Sequence, residues 1–258
     1  MNVDFHMHSA QSDGRFSPEE LLRRAVAGGL DVVALSDHDL PPALPVGLQP
    51  GQKIRVVAAT EVSGVHEGRE LHLLVYFPGA MPEDYQAWLR ERARWRAWRF
   101  DRGAEALGLP DRADADALEG RRSLTRQHLA GLLMHAGKVQ LPGQVWPMLS
   151  KILPPLELSY AEAIAVARAA GGVPVWAHPG LADAQNFLPD LVRAGLVGIE
   201  LDRPLLAKNV RNGLKALACR FKLLPTGGSD WHGWKEGELG AFRVAREYYQ
   251  PLMDRLGV

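Results

Sequence analysis

Val32-Val33-Ala34-Leu35 is an uninterrupted apolar run, preceded by Asp31 and closed by Ser36-Asp37-His38-Asp39. A strand that is apolar at successive positions buries both of its faces, the condition met inside a parallel sheet covered by helices. The same plan returns later. Residues 173–177 read as a strand running into His178-Pro179, and residues 197–201 as one carrying Glu200. Residues 221–224 read as a strand leading to Gly227-Gly228-Ser229-Asp230-Trp231-His232. Helix signals fall between these runs. Ser17-Pro18-Glu19-Glu20 offers a capping serine, proline at the first helical position and glutamate two residues on, and Gly28-Gly29 ends the segment. Ser159-Tyr160-Ala161-Glu162 is a capping box for a helix that stops at Gly171-Gly172, and further helices are expected around 187–194 and 205–219. A chain of 258 residues, 47% of them hydrophobic, can bury one large α/β core.

Residues 3–8 read as a short strand, with Asp4, His6 and His8 on one face and Val3, Phe5 and Met7 on the other. After a proline-rich connection over 41–51, residues 54–59 form a third strand ending at Glu61, and 71–77 a fourth. The span from Glu61 to His72 is too short for a crossover helix, so a hairpin through 64–68 is expected, placing both residues near one rim. About seven strands alternating with helices suggest a closed or nearly closed βα barrel, with its polar residues at the strand ends where such barrels carry chemistry. Composition changes after Phe77. Residues 79–156 hold helical pieces broken by Pro110, Pro142, Pro147 and Pro154-Pro155, and read as an inserted, mainly helical subdomain in a barrel made of 1–78 and 157–258. In it, Arg90, Arg92, Arg94, Arg96, Arg99 and Arg102 interleave with Trp88, Trp95 and Trp98. That pattern fits a platform for phosphates and bases, or a solvated helix face with tryptophans packed on the barrel; the shared helical face of Trp88 and Trp95 favours the second.

Lys+Arg and Asp+Glu are both 30, so no global basic field points to nucleic acid or an anionic membrane. Cys219 is the only cysteine, which excludes an internal disulfide and a two-thiolate zinc site. With no basic, apolar leader and no spanning run, a soluble cytoplasmic protein is expected, with no membrane partner. Cys219 is expected in the core, His66 solvated in a turn, and His135 on a helix face.

Six of the nine histidines, His6, His8, His38, His72, His178 and His232, stand with Asp13, Glu61 and Asp230 at or just past expected strand ends. Imidazoles and carboxylates without thiolates suit manganese, iron or zinc. Nine donors are too many for one ion and about right for two or three if a carboxylate such as Glu61 bridges. His-x-His alone is a weak signal. Joined in order by Ser12-Asp13-Gly14, Asp37-His38-Asp39, Ala177-His178-Pro179 and Ser229-Asp230-Trp231-His232, it is specific. With Glu61-Val62-Ser63, Leu71-His72-Leu73-Leu74 and Gly198-Ile199-Glu200, these stretches resemble the PHP (polymerase and histidinol phosphatase) superfamily over residues 3–234, nearest to stand-alone members that act on nucleotides and short oligonucleotides.

The resemblance implies a distorted (β/α)7 barrel and a metal-dependent phosphoesterase with a three-metal site. His6, His8, Glu61 and Asp230 would hold one ion, Asp13, His38 and His232 a second, and Glu61, His72 and His178 a third. Thr125-Arg126-Gln127-His128 resembles the family's Arg-x-His segment, so Arg126 and His128 would reach the substrate phosphate. The expected reaction is hydrolysis of phosphate esters of nucleotides, nucleoside bisphosphates or the 5′ end of short single-stranded oligonucleotides, by a hydroxide shared between ions. Asp37 and Asp39 are candidates to orient imidazoles, and Glu200 to face substrate, support a ligand or pair with an arginine. Leu40-Pro41-Pro42, Leu181 and Trp231 depart from the family pattern without removing a donor. Two other classes remain open at this stage: a metal-dependent amide or lactone hydrolase, and a non-catalytic nucleic-acid-binding module using the arginine helix.

Overall fold

A computed structural model describes residues 1–109, 120–139, 142–234 and 237–258; the breaker expected at Pro110 lies outside them. The strands are β1 (Val3–Met7), β2 (Val32–Leu35), β3 (Gly47–Leu48), β4 (Arg55–His66), β5 (Arg69–Phe77), β6 (Val173–Trp176), β7 (Gly198–Asp202) and β8 (Leu224–Gly227). The helices are α1 (Pro18–Ala27), α2 (Glu83–Leu107), α3 (Arg126–His135), α4 (Pro142–Ile152), α5 (Tyr160–Ala169), α6 (Leu181–Ala194), α7 (Lys208–Phe221) and α8 (Arg246–Leu256). One mixed sheet runs β1-β2-β4-β5-β6-β7-β8, with β3 added on β4. β1, β2 and β4 are parallel, as are β6, β7 and β8, and β5 lies antiparallel to both neighbours. The sheet curls. Beyond β8, Asp230 N–H donates to the His6 carbonyl (2.8 Å) and His8 N–H to the Trp231 carbonyl (2.9 Å), so the two ends of the sheet meet at the rim that carries the histidines.

The local signals explain the helices. Ser17 Oγ accepts the Glu20 N–H at 3.2 Å while Leu21, Leu22 and Ala25 of α1 face the core. Ser159 Oγ accepts the Glu162 N–H at 3.1 Å to start α5. Both apolar faces of the sheet are covered: Val3, Phe5, Ala34, Val57, Leu73 and Val175 belong to one continuous core, while Met7, Val33, Leu35 and Val56 pack with α1. The start of α2 joins the main core through Tyr85 and Leu89. Its far half, at Phe100 and Ala104, builds a separate core with Leu129, Leu133, Val145 and Leu149 from α3 and α4.

Several expectations need correction. β4 does not end at Glu61 but runs on to His66, because β5 pairs with it continuously down to His66–Arg69. A two-residue turn at Glu67 and Gly68, both with positive φ, joins the strands. Glu61 is therefore mid-strand, projecting beyond the point where parallel β2 stops at Leu35 opposite Ala58. His66 is not solvated in a turn: it ends β4, its Nε2 is buried without a partner, and its ring meets Phe187 edge-on at 4.9 Å. Residue 221 ends α7 rather than opening a strand, since Lys222 takes a left-handed cap (φ 55°) and β8 starts at Leu224. Cys219 lies on the exposed side of α7, outside the core. Pro147 sits inside α4, where burial of Val145 and Leu149 outweighs one lost backbone bond. Trp98 is exposed, and two arginines of α2 occupy the buried side instead. β3 and α8 were not foreseen. No helix among the described residues is long and apolar enough to cross a membrane.

Candidate metal centre

Side chains from β1, β4, β5 and the segments after β1, β2, β6 and β8 converge on the Glu61 carboxylate, which is buried in the curled rim. Glu61 Oε2 lies 3.4 Å from His6 Nε2, 3.2 Å from His8 Nε2 and 3.3 Å from His38 Nδ1. Glu61 Oε1 lies 3.2 Å from His72 Nδ1 and 3.0 Å from His178 Nε2. Asp230 Oδ1 faces the other side of the first pair, 3.3 Å from His6 Nε2 and 3.4 Å from His8 Nε2. Asp13 gathers the remainder: Oδ1 is 3.2 Å from His232 Nε2 and Oδ2 is 3.6 Å from His38 Nε2. All nine expected donors thus stand in one connected cluster.

Its atoms group in four overlapping sets: His8, Asp13, His38 and His232; His6, His178 and Asp230; His6, His8 and Glu61; His38, Glu61 and His72. At metal–ligand bonds of about 2.0–2.2 Å, neighbouring donors around a tetrahedral ion stand roughly 3.3–3.6 Å apart, close to the spacings here. The hydrogen-bond balance agrees. His6 Nε2, both His8 ring nitrogens, His38 Nδ1 and His72 Nδ1 are buried without a hydrogen-bond partner. Each such atom costs about 1–3 kcal/mol left bare, a penalty that coordination removes. These residues fit divalent ions.

Charge follows the same logic. Burial opposes a proton on His6, yet Glu61, Glu200 and Asp230 hold its imidazolium well above the ordinary value. Burial is likewise outweighed at His8, which Asp230, Glu61 and Asp13 push up to about 10, and at His72, which Glu61 and Glu70 push up to about 9. Burial wins at His38, held well below its ordinary value. Burial would raise Asp13, Glu61 and Asp230, but the imidazoles around them hold all three well below the carboxylate range. Without ions, protons on imidazoles balance the carboxylates.

The backbone is built to bring these groups together. His178 (φ 35°) and Asp230 (φ 51°) take left-handed conformations that cost non-glycine residues about 1–2 kcal/mol each. Gly228 lies so close to β1 that a Cβ there would stand 2.3 Å from His6 Cβ, and one on Gly14 would stand 2.0 Å from the His8 carbonyl oxygen. Glu200 supports two of the clustered histidines: Oε1 is 3.1 Å from His6 Nδ1 and Oε2 accepts the His178 N–H at 2.8 Å. Asp4 Oδ1 accepts the N–H groups of Ser229 (2.8 Å) and His6 (3.2 Å), tying the strand to the Asp230 segment.

Asp37 and Asp39 act differently from expectation. Asp37 accepts from Ser9 N–H (2.8 Å), Ser9 Oγ (2.6 Å) and Ser12 Oγ (2.5 Å), so it shapes the loop that presents Asp13 rather than an imidazole. Asp39 accepts a short hydrogen bond from Arg96 Nε, and Arg96 Nη2 donates to Ser63 Oγ at 2.7 Å. Reading 90–102 as a charged surface concealed this pair. The signal was present: Arg92 and Arg96 fall in the stripe of Tyr85, Leu89 and Phe100, the buried face of α2. Arg121, also unforeseen, donates to the carbonyls of Ala10 (3.2 Å), Ser12 (3.0 Å) and Gly14, bracing the Asp13 loop from the helical segment.

Arg126 and His128 open α3 beside the cluster, without touching its carboxylates. Thr125 N–H donates to His128 Nδ1 at 2.9 Å, which leaves His128 Nε2 buried and unpartnered. Burial lowers His128 to about 4, so it is neutral at pH 7 and suited to donate an N–H bond. Arg126 Nη1 is 3.4 Å from Glu70 Oε2.

A curled α/β sheet with imidazoles and carboxylates gathered around one buried glutamate defines a metal-dependent hydrolase. No family model matches the chain. Over 254 residues it is 33% identical to the phosphoribosyl 1,2-cyclic phosphate 1,2-diphosphodiesterase of Eggerthella lenta, covering 90% of this chain and 95% of that protein. It is 30% identical over 254 residues to a 5′-3′ exoribonuclease of Haemophilus influenzae, covering 90% and 92%. A crystal structure from Bifidobacterium adolescentis, described as a metal-dependent phosphoesterase, superposes with a TM-score of 0.77 at 28% identity, covering 98% and 96%. The chain belongs to the PHP superfamily and is a metal-dependent phosphoester hydrolase.

Proposed function

We propose that this chain hydrolyses phosphate esters of nucleotides, nucleoside bisphosphates or the 5′ end of short oligonucleotides, at a centre of two or three manganese, iron or zinc ions. The observation that carries it is Glu61, whose two oxygens face five imidazoles between them. A carboxylate in that position would be able to hold more than one ion. His6, His8, Glu61 and Asp230 would hold one, Asp13, His38 and His232 a second, and Glu61, His72 and His178 a third. When bound, the ions supply Lewis-acid charge for the phosphoryl oxygens and lower the pKa of water toward neutrality. The chain's own part is positional. Glu200 and Asp4 hold the backbone that bears the donors, a serine-braced loop carries buried Asp13, and Arg126 and His128 would grip a phosphoryl oxygen.

The reading of 1–78 and 157–258 as a distorted (β/α)7 barrel fits the seven-strand path and its joined ends. The described residues of 79–156 would then be a helical insertion that meets the rim through Arg96 and Arg121. The single cysteine suits a reducing, cytoplasmic setting. The substrate class draws on the relatives, whose names specify a phosphoribosyl cyclic phosphate and RNA. The inward Arg92 and Arg96 remove much of the arginine platform that a non-catalytic binding module requires.

The test is phosphate release from a panel of nucleotides, nucleoside bisphosphates and 5′-phosphorylated oligonucleotides with added Mn²⁺. The expected result is turnover that a chelator abolishes and metal restores. Protein shown to contain metal but inert on every phosphoester would sink the proposal.

A further inference from the structure

The loop between β1 and α1 carries Asp13 into the metal cluster, and its backbone is held from elsewhere in the chain. The carbonyls of residues 10 to 14 all accept hydrogen bonds from residues beyond position 120. Trp234 Nε1 donates to the Asp13 carbonyl at 2.6 Å. The other four carbonyls go to Arg121, Arg122 and Ser123, in the stretch just before α3. The N–H groups of Arg122 (2.8 Å) and Ser123 (3.0 Å) share the Gln11 carbonyl. Arg121 Nη1 alone meets three, those of Ala10 (3.2 Å), Ser12 (3.0 Å) and Gly14.

Three carbonyl oxygens turned toward one point repel one another, and a single guanidinium nitrogen has only two N–H groups to offer them. Charge therefore holds the cradle together as well as hydrogen bonding, as when carbonyl oxygens gather around a hard cation. Arginine carries that charge permanently. Ser12 and Gly14 flank Asp13 in sequence, so the guanidinium fixes the backbone on either side of its carboxylate. Asp37 meanwhile takes the hydroxyls of Ser9 and Ser12. The result is an Asp13 carboxylate 3.2 Å from His232 Nε2 and 3.6 Å from His38 Nε2. The backbone at His6, His178 and Asp230 is braced differently, by Asp4 and Glu200 of the sheet.

We propose that Arg121 is a positioning residue for the ion assigned above to Asp13, His38 and His232. By filling the carbonyl cradle it keeps Asp13 in range of both imidazoles, so the affinity for this ion depends on the helical segment while the affinity for the others does not. The inference rests on the proposed ion set and deepens it. It also ties that ion to the substrate grip. Arg121 stands four residues before Thr125, whose side chain caps the helix that begins with Arg126 and carries His128. One short stretch of chain thus sets both Asp13 and the two residues proposed to meet a phosphoryl oxygen.

The test titrates Mn²⁺ by calorimetry into the full-length protein stripped of metal, as wild type, Arg121→Met and Arg121→Lys, each checked for folding by circular dichroism. In Arg121→Met one binding event should weaken about 10–100-fold, the range for partners that orient metal ligands, while the others stay within about twofold. Arg121→Lys should recover part of the loss, because an ammonium still sets a positive charge among the carbonyls. Asp13→Asn should weaken the same event, and adding Arg121→Met to it should cost little more, since both act on one ion. Unchanged binding in Arg121→Met, equal weakening of every event, or losses that simply add in the double variant overturn the assignment. Where Arg121→Met does not fold, Arg121→Lys decides: selective weakening of that event supports the role, and wild-type binding throughout overturns it. These measurements read metal rather than turnover. A protein that binds its ions but hydrolyses no phosphoester sinks the phosphoesterase reading and leaves this one standing.

Discussion

Loading the stripped protein with divalent metal should expel about three protons per chain at pH 7.5. The count comes from the site: His6 is held well above its ordinary value, His8 at about 10 and His72 at about 9, so all three carry a proton there in the absence of ions. Asp13, Glu61 and Asp230 are already ionised and contribute none. A coordinated imidazole must surrender the proton on its ligating nitrogen, so each of the three releases one as the site fills. By linkage, the overall binding constant should rise about 1,000-fold per pH unit, about 4 kcal/mol, between pH 7 and 8.5. The slope should flatten as pH passes about 9 and then 10, where His72 and His8 lose their protons unaided. Calorimetric titrations of the stripped protein in two buffers of different ionisation enthalpy give the proton count directly. Release of fewer than one proton at pH 7.5, or affinity that falls with rising pH, would refute the reasoning.

Three further outcomes follow from named contacts. Arg96→Met leaves buried Asp39 with only the longer contact to Arg92 Nε (3.8 Å), which should cost about 3–5 kcal/mol and lower the melting temperature by about 6–20 °C; a shift below 2 °C in thermal denaturation contradicts the buried pair. Gly228→Ala puts a methyl 2.3 Å from His6 Cβ, so metal content measured by mass spectrometry should drop while the circular dichroism spectrum persists, and unchanged occupancy counts against that approach. In chelator, the raised imidazolium pKa values of His8 and His72 stabilise the fold below about pH 6.5, and that contribution is lost as pH rises through about 9 to 10. The stripped protein should therefore melt at lower temperature at pH 10 than at pH 7, and a rise over that window is the contrary result.

His38 after β2 and His178 after β6 were legible because each follows a doubly apolar run, and parallel strands deliver their ends to one rim. Glu61 was found for a partly mistaken reason. It does not end its strand, and only the long pairing of β4 with β5 shows how a mid-strand residue reaches the rim. Arg96 was missed because a run of alternating charges in sequence hides which residues share a helical face, and because its partner Asp39 is 57 positions away. Glu70 could have been noticed from its spacing to His72, but Arg99 and Arg126, which face it, come from α2 and α3, whose docking no local pattern encodes. Residue 221 was assigned to a strand because a segment as short as Phe221-Lys222-Leu223-Leu224 is ambiguous between strand and helix end, and no glycine at 222 marks the stop.

Metal content and phosphate release measured side by side on wild type and Glu61→Gln bear most directly on the central claim that Glu61 joins the ions of a phosphoesterase centre. Wild type should hold at least two divalent ions per chain, while Glu61→Gln should lose at least one and fall at least about 100-fold in turnover. A Glu61→Gln protein that keeps both its ions and its activity would contradict the claim, and so would a fully loaded wild type that releases no phosphate from any phosphoester.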